Sequence, residues 1–334
     1  MKWWILSFLS VAMGALFLAS VSEAQQQVTL QDVPIAERRF DAHTFVGLGG
    51  FQFLKISQGA RAVAMGDAYT AVADDINAIF WNPAGLTSIR TSAWTATYTK
   101  WLVDSYTFSA AAAWNTGTAR GGVLGASVVG FRPGDIYETT IFQPQGTGQT
   151  VSAGDMAIGV VYALKMTDKF SFASRISWIS QTLHTESVSS ITLDVGTLFH
   201  TGFKSLRLAM ALKNFGPDKK VTETKFFMPI YYNVGAAFEF YGEKGDPMYL
   251  TVSAESAFAA DYELRAHLGA EMWMQNAFAL RAGYKLNYNT DTFTLGAGLK
   301  YEIAGDRAVT VDVSYSDMGE LFIAPIRVTI GGTF

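Results

Sequence analysis

An alternation of apolar and polar residues begins after Leu86 and runs to the last residue, Phe334. Successive side chains of a strand point to opposite faces, so a period of two sustained over such a length dictates β-structure. Trp94, Ala96 and Tyr98 alternate with Thr95, Thr97 and Thr99. Further segments run from Tyr106 to Trp114, Val123 to Phe131, Met156 to Leu164, Phe170 to Trp178 and Ile191 to Phe199. Leu206 to Leu212, Tyr232 to Phe240, Met248 to Ala254, Leu264 to Met272 and Phe278 to Leu286 continue the series. Phe293 to Ile303, Val309 to Tyr315 and Ile326 to Phe334 close it. The expectation is an all-β fold of about fourteen strands, each near the length at which a tilted strand crosses a bilayer.

The face opposite the apolar set separates a membrane barrel from a soluble sandwich. It carries Arg175, Asp194, Arg207, Lys213, Glu239, Glu255, Arg265, His267, Glu271, Arg281, Lys285, Lys300, Glu302 and Asp312. Both signs of charge occur together. In a closed antiparallel barrel they would line a polar lumen and pair between strands, with the apolar face toward lipid. A sandwich would also alternate, with its polar face in water. Aromatic residues near strand ends, among them Trp94, Tyr98, Tyr106, Trp114, Phe131, Tyr162, Trp178, Tyr232, Tyr284, Tyr301 and Tyr315, favour the barrel as interfacial girdles.

The N-terminus points the same way. Lys2 precedes an apolar run from Trp3 to about Leu18 and the small-x-small Ser22-Glu23-Ala24, which reads as a signal peptide over 1–24 with Gln25 as the mature start. Beyond it no charge-free run reaches the roughly 20 residues of a membrane helix, so any span consists of strands. A formal charge of −4 offers no basic excess for nucleic acid. The absence of Cys excludes disulfides, thiolate metal sites and a Cys nucleophile.

One stretch breaks the β pattern. Residues 59–86, GARAVAMGDAYTAVADDINAIFWNPAGL, are small and helix-prone and read as a plug at the barrel mouth. The small side chains of Ala60, Ala62, Ala64, Gly66 and Ala68 let the backbone lie close to a wall. Asp75 is placed to N-cap a helix through Ile76, Ile79 and Phe80, with Asp74 near the same positive end. Asn82 is placed to cap a second turn opened by Pro83. Residues 25–58 then form a periplasmic tail leading into the plug, and 87–334 the transmembrane barrel.

Catalytic groups are not evident. None of His43, His184, His200 and His267 sits in a nucleophile motif, and Asp74-Asp75 lacks further ligands at metal spacing. No catalytic, metal or cofactor residue is assigned, and the protein is not expected to be an enzyme. Two long segments, Arg132 to Ser152 and Phe215 to Met228, are expected on the outer side and are the first candidates for contact with a partner. Short turns such as Ala304-Gly305-Asp306 and Asn287 to Asp291 are expected on the periplasmic side.

The stretch from Phe51 to Leu86 resembles the PorV/PorQ family of outer-membrane proteins, within the wider FadL-like group of fourteen-stranded barrels. The resemblance is carried by Phe51-Gln52-Phe53-Leu54-Lys55-Ile56, Gly59-Ala60-Arg61-Ala62, Ala64-Met65-Gly66, Ala68, Thr70 to Asp75, and Trp81-Asn82-Pro83-Ala84-Gly85-Leu86. Its motif residues are Gly59, Ala60, Arg61, Met65, Gly66, Asp74, Asp75, Asn82, Pro83 and Gly85. The resemblance implies an outer-membrane protein that serves type IX secretion or cell-surface assembly, with the giant translocon barrel and cargo C-terminal domains as partners. The alternative is a FadL-like conduit for long-chain fatty acids or other hydrophobic molecules. The final strand, ending on Phe334, resembles the targeting strand read by the barrel assembly machinery, which makes Phe334 the assembly signal.

Overall fold

The computed structural model describes residues 49–334, apart from 118–121, 222–223, 260, 305–306 and 321. The signal peptide and the tail as far as residue 48 lie outside the described residues. Fourteen strands form the wall: β1 (Ser92–Lys100), β2 (Tyr106–Asn115), β3 (Val123–Arg132), β4 (Ala153–Lys165), β5 (Phe170–Leu183), β6 (Glu186–His200) and β7 (Arg207–Phe215). They continue as β8 (Tyr231–Tyr241), β9 (Met248–Ala259), β10 (Tyr262–Met274), β11 (Phe278–Leu286), β12 (Phe293–Ala304), β13 (Arg307–Ser316) and β14 (Ile326–Thr333). Each strand pairs antiparallel with the next in sequence. β14 returns to β1, with Ala93 opposite Thr333 and Lys100 opposite Ile326, and this closure leaves no unpaired edge.

The pattern decides which face is which. Tyr98, Phe108, Ile158, Ile176, Leu208, Leu280 and Ile330 point outward and are exposed, while Thr95, Thr97, Arg175, Asp194, Glu271 and Arg281 point inward and are buried. A one-residue slip would exchange these faces on any strand, so the apolar exterior fixes the register. β3 reverses the expectation. Val123, Val129 and Phe131 pack toward the interior, and Leu124, Ala126 and Val128 face out. The sequence VLGASVVGF is apolar at both parities, so its pattern leaves the face undetermined, and Phe131 joins the inner core instead of the aromatic girdle.

Antiparallel succession places the connections alternately at two ends. One end carries the connections at 101–105, 133–152, 184–185, 216–230, 260–261, 287–292 and 317–325; the other carries Ser92, Phe334 and the shorter turns. The segment Asn287 to Asp291 therefore lies at the end with the long loops and not at the end with Ala304, because strand parity and not loop length sets the side. Two small ladders stiffen the long loops, Ile136–Tyr137 with Thr150–Val151 and Lys219–Val221 with Thr224–Phe226.

Residues 51–89 contribute helical pieces: a 3-10 turn (Gln52–Lys55), α1 (Ala60–Ala64), α2 (Ala78–Trp81) and a 3-10 turn (Pro83–Ser88). Residues 58–73 and 76–86 are buried throughout. With the lining of β1 to β8 they form the main apolar core, centred on Val63, Met65, Tyr69, Ile79, Trp81 and Leu86.

Candidate functional site

The plug passes through the lumen from one end to the other. At the loop end the Gly50 N–H donates to the Phe227 carbonyl at 2.9 Å, the Phe51 ring meets Phe226 edge-on at 5.6 Å, and Lys55 pairs with Asp261 in the β9–β10 turn. Further along the plug, still toward the loop end, Asp67 pairs with Lys285 at 2.7 Å, and Lys285 also holds Asp291 of the following connection at 2.7 Å. At the opposite end Asp74 pairs with Lys244 of the β8–β9 turn, and the chain then runs into β1. Residues 49–58 thus sit at the end that carries the long loops.

Arg61 is the centre of the anchorage. Its Nε and one terminal nitrogen donate to the two Glu271 oxygens, each at 2.7 Å, a bidentate fork. The other terminal nitrogen donates to Asp74 at 2.7 Å and Asp75 at 3.0 Å. Glu271 stands directly opposite Arg281 across β10 and β11 and accepts from its Nε at 2.6 Å; Arg281 in turn donates to Asp312 at 2.6 Å. A continuous chain of opposite charges therefore runs from the plug into three strands of the wall. Burial opposes the charge on Arg61, yet Asp74 and Glu271 outweigh it and hold the guanidinium well above its ordinary value. Burial likewise pushes the Asp74 carboxyl up, and Arg61 and Lys244 hold it well below the usual carboxylate range. Each charge here has a partner, which is the condition for keeping ions in a low-dielectric interior.

Close backbone approach supplies a second anchorage. A Cβ on Gly283 would stand 1.9 Å from the Gly66 nitrogen, so β11 and the plug touch only because neither residue carries a side chain there; Gly66 also has φ +63°. The Gly66 N–H donates to the Thr294 hydroxyl at 3.0 Å, and the Ala60 N–H donates to Thr329 at 2.8 Å. The wall thus satisfies backbone groups that helices this short leave open.

The capping residues act differently from one another. Asp75 does not occupy the cap position of α2, which is Asn77; it accepts the Asn77 N–H at 2.8 Å and opens the turn that precedes the helix, while Asp74 is spent on Arg61 and Lys244. Asn82 caps the following 3-10 turn by accepting the Ala84 N–H at 3.2 Å, with Pro83 at the first position. Its amide also donates to the Thr70 carbonyl at 2.9 Å and the Thr197 carbonyl at 3.0 Å. Asn82 is fully buried, and a Cβ on Gly196 would fall 2.2 Å from its Oδ1. Pro83 and Gly85 are buried beside it, and a Cβ on Gly85 would meet the Ala73 carbonyl at 2.1 Å.

The other inward charges take different stations. Arg207 donates to Glu239 at 2.8 Å, and Arg175 meets Asp194 at 3.3 Å across β5 and β6. Glu255 accepts the Thr70 N–H at 2.8 Å and the Asn233 amide at 2.7 Å, so it serves the plug backbone, and among the described residues it makes no ion pair. His267 shares a hydrogen bond with the Tyr288 hydroxyl at 2.9 Å, and Arg265 stacks 3.8 Å above Tyr262 and 4.1 Å from Tyr288. Lys300 and Glu302 pair with each other at 2.6 Å at the rim, where Glu302 is exposed, and do not join the buried set. Sequence reasoning missed Lys55, Asp67 and Lys244 as anchors. Asp67 was within reach, since it is the remaining carboxylate of the motif stretch; Lys244 lies in a turn with no pattern to mark it. Among the described residues no cluster of His, Asp or Glu suits a metal ion.

Comparison with known proteins bears on both fold and family. The barrel is similar to the toluene transporter TbuX of Ralstonia pickettii, with a TM-score of 0.58 at 13% identity over 83% of this chain and 97% of that one. It is similar to the Pseudomonas putida toluene transporter TodX, with a TM-score of 0.57 at 10% identity over 83% and 99%. A Pseudomonas aeruginosa FadL homologue gives 0.52 at 11% identity over 83% and 98%. At such identities these likenesses concern the fold. No curated protein matches the sequence. The family model described as "Type IX secretion system protein PorV" matches residues 44–257, more than half of the chain, taking in the plug and the wall from β1 into β9. This match, on a closed barrel of bacterial outer-membrane type, places the chain in the PorV family.

Proposed function

We propose that the protein is a non-enzymatic partner in type IX secretion or cell-surface assembly, with a lumen kept shut by its plug and partners docking on its outside. The observation that carries this reading is the double anchorage of the plug, by the Arg61–Glu271–Arg281 chain and by the Gly66–Gly283 contact. A partner that docks on loops gains nothing from an open hole. The long-loop end offers the docking surface: Ile141 and Phe142, at the tip of the β3–β4 connection, are almost wholly exposed. Translocon subunits and cargo C-terminal domains are the expected partners there. Phe334, whose carbonyl accepts from Thr91 and Ser92 beside the β1–β14 seam, is the expected signal for the assembly machinery.

The rival reading is transport of hydrophobic molecules, as the names of TbuX and TodX describe for those proteins. The cavity beside the plug at the loop end is about 90 Å3, below the roughly 300 Å3 from which sites for larger ligands begin, whereas the one at the turn end, beside Arg61, Asp74 and Asn77, is about 670 Å3 and large enough for such a ligand. Deleting the gene decides between the two. Loss of surface display with fatty-acid uptake intact supports the secretion role; impaired uptake with normal display overturns it.

A further inference from the structure

β5 and β6 outgrow their neighbour β7. They have 14 and 15 residues against its 9, and the excess stands at the long-loop end, where the two pair up to their tips, Leu183 opposite Glu186. On one side this hairpin is covered: Ala153 of β4 lies opposite Leu183, and the His184 N–H donates to the Ser152 carbonyl at 2.7 Å. On the other side β7 stops short. Its last pair with β6 is Phe215 with Leu193, and a Cβ on Gly216 would stand 2.6 Å from the Ile191 carbonyl oxygen. Beyond Ile191 no main-chain bond among the described residues reaches β6 from that side. The two-residue turn fixes which groups are left bare. Leu183 and Glu186 close it by bonding to each other, so Val188 and Ser190 also bond to β5, and the N–H and C=O of Ser187 and Ser189 point away from it. Both serines are exposed. Residues 187–192, SVSSIT, hold no charge and no Pro, and their register with β5 is unbroken, so the usual devices that blunt an edge are missing. A tilted strand crosses the hydrocarbon in about 9–11 residues, so the extra length of β6 stands in water, where an unpaired edge is tolerated.

We infer that this β6 edge is the docking site for an extended segment of an exported client protein, which adds to the sheet as a short strand beyond the end of β7. Donors and acceptors in main-chain alternation are what another strand supplies, and strand addition to a bare edge draws its affinity from them. The uncharged lip suits a segment of low charge, and Ile191, 60% exposed, gives it an apolar neighbour. Position selects the client over a membrane subunit, because the edge stands in water at the loop end, where a soluble exported domain arrives. A second copy of this chain is the poorer match. Two copies in one membrane share their orientation, so their β6 edges meet only in parallel, the less stable pairing, whereas an incoming segment is free to pair antiparallel. This docking mode rests on the secretion role proposed above.

The test is complementation of a deletion strain with full-length variants, read as surface display of type IX clients, with heat-modifiability gels reporting the folded barrel. Ser189→Pro removes an N–H that is bare in the free protein and sets a ring where the added strand would lie, so the barrel should fold while display falls roughly tenfold. Ser187→Pro stands in if that variant does not fold. Ser189→Ala alters the side chain and keeps the main chain, and should display as wild type does. Full display with Ser189→Pro, or equal loss with Ser189→Ala, would overturn strand addition and leave the secretion role standing. Full display in the deletion strain itself would remove both. A dimer that Ser189→Pro dissolves, with display unchanged, would give the edge to a second copy and exclude the client. In the purified barrel, amide exchange should be fast at Ser187 and Ser189 and slow at Ser190; protection at all three would mean that the edge is already covered and would end the proposal.

Discussion

Two charged layers cross the lumen, and they are built on opposite terms. In the layer around Arg61 every charge is met: a bidentate fork to Glu271, a second arginine behind it, and carboxylates on both flanks. In the layer around Arg175 and Lys213 the pairing is looser: Arg175 meets Asp194 at 3.3 Å, and the Lys213 ammonium lies over the Trp81 ring with no carboxylate within ion-pair distance among the described residues. Both layers arise from the same alternation of the wall strands. What separates them is the plug. Where it offers Arg61 and Asp74 the wall's charges are completed; where it offers Phe80 and Trp81 the cations Arg175 and Lys213 are covered by rings. A buried network of short, shared ion pairs ties plug to wall, while one of long or missing pairs holds it less firmly.

Glu271→Ala attacks the complete layer most severely. It leaves Arg61 and Arg281 facing each other without their shared carboxylate, at a cost of about 3–5 kcal/mol. The expected result is a barrel that still inserts but unfolds at markedly lower temperature on heat-modifiability gels and leaks ions in planar bilayers. Wild-type behaviour in both would erase the distinction between the layers.

Asn82→Ala comes next. A cap alone is worth on the order of 1 kcal/mol, but Asn82 also bridges Thr70 of the plug to Thr197 of the wall, and buried carbonyls left unmet raise the expected cost to about 2–3 kcal/mol. Protease nicking of the plug in the inserted barrel would report it. A loss no larger than the cap value would show that the bridge to β6 contributes little.

Lys213→Met should move stability the other way. Replacing an under-partnered cation with an apolar chain of similar length removes a desolvation cost, so the unfolding temperature should stay level or rise by an amount worth about 1 kcal/mol. A clear drop would mean that the second layer is as well balanced as the first.

The smallest effects belong to the rim. Lys244 is about half exposed, so its tie to Asp74 is screened, and Lys244→Ala should cost well under ~1 kcal/mol. Acid should also have little effect at first. Asp74 titrates below the usual carboxylate range when folded, so its contribution is complete above that range and is lost only as the pH falls below it. Conductance measured from about pH 7 down to about pH 5 should therefore stay flat; leakage that opens within that window would implicate another group.

The wall was legible because its rule is local. A period of two needs only neighbouring residues, and every expected strand formed, with β3 alone reversed because Val123, Val129 and Phe131 match the apolar character of its other face. The charges facing the lumen were legible as a class for the same reason. Their partners were not. Arg61 and Glu271 stand 210 positions apart, Lys55 and Asp261 stand 206, and nothing in either neighbourhood specifies such a pairing. The path of the plug was hidden too, since the composition of residues 49–58 does not reveal which end of a barrel they occupy. Helix starts suffered from competition: Asp75 had the chemistry of a cap, but Arg61 drew on the same carboxylate.

The passage of residues 49–91 along the whole lumen has a consequence for the order of assembly. The strand that follows the plug, β1, is also the strand that must meet β14 for the wall to close. Once that seam is sealed, residues 49–58 could reach the loop end only by being drawn through a space already filled by the plug's own core. The economical route is for β2 to β14 to present an open sheet, for the plug to lie down against Glu271 and Gly283 within it, and for β1 to close the cylinder around its own leading segment. The last hydrogen bonds to form would then be those between Ala93 and Thr333 at one end and Lys100 and Ile326 at the other.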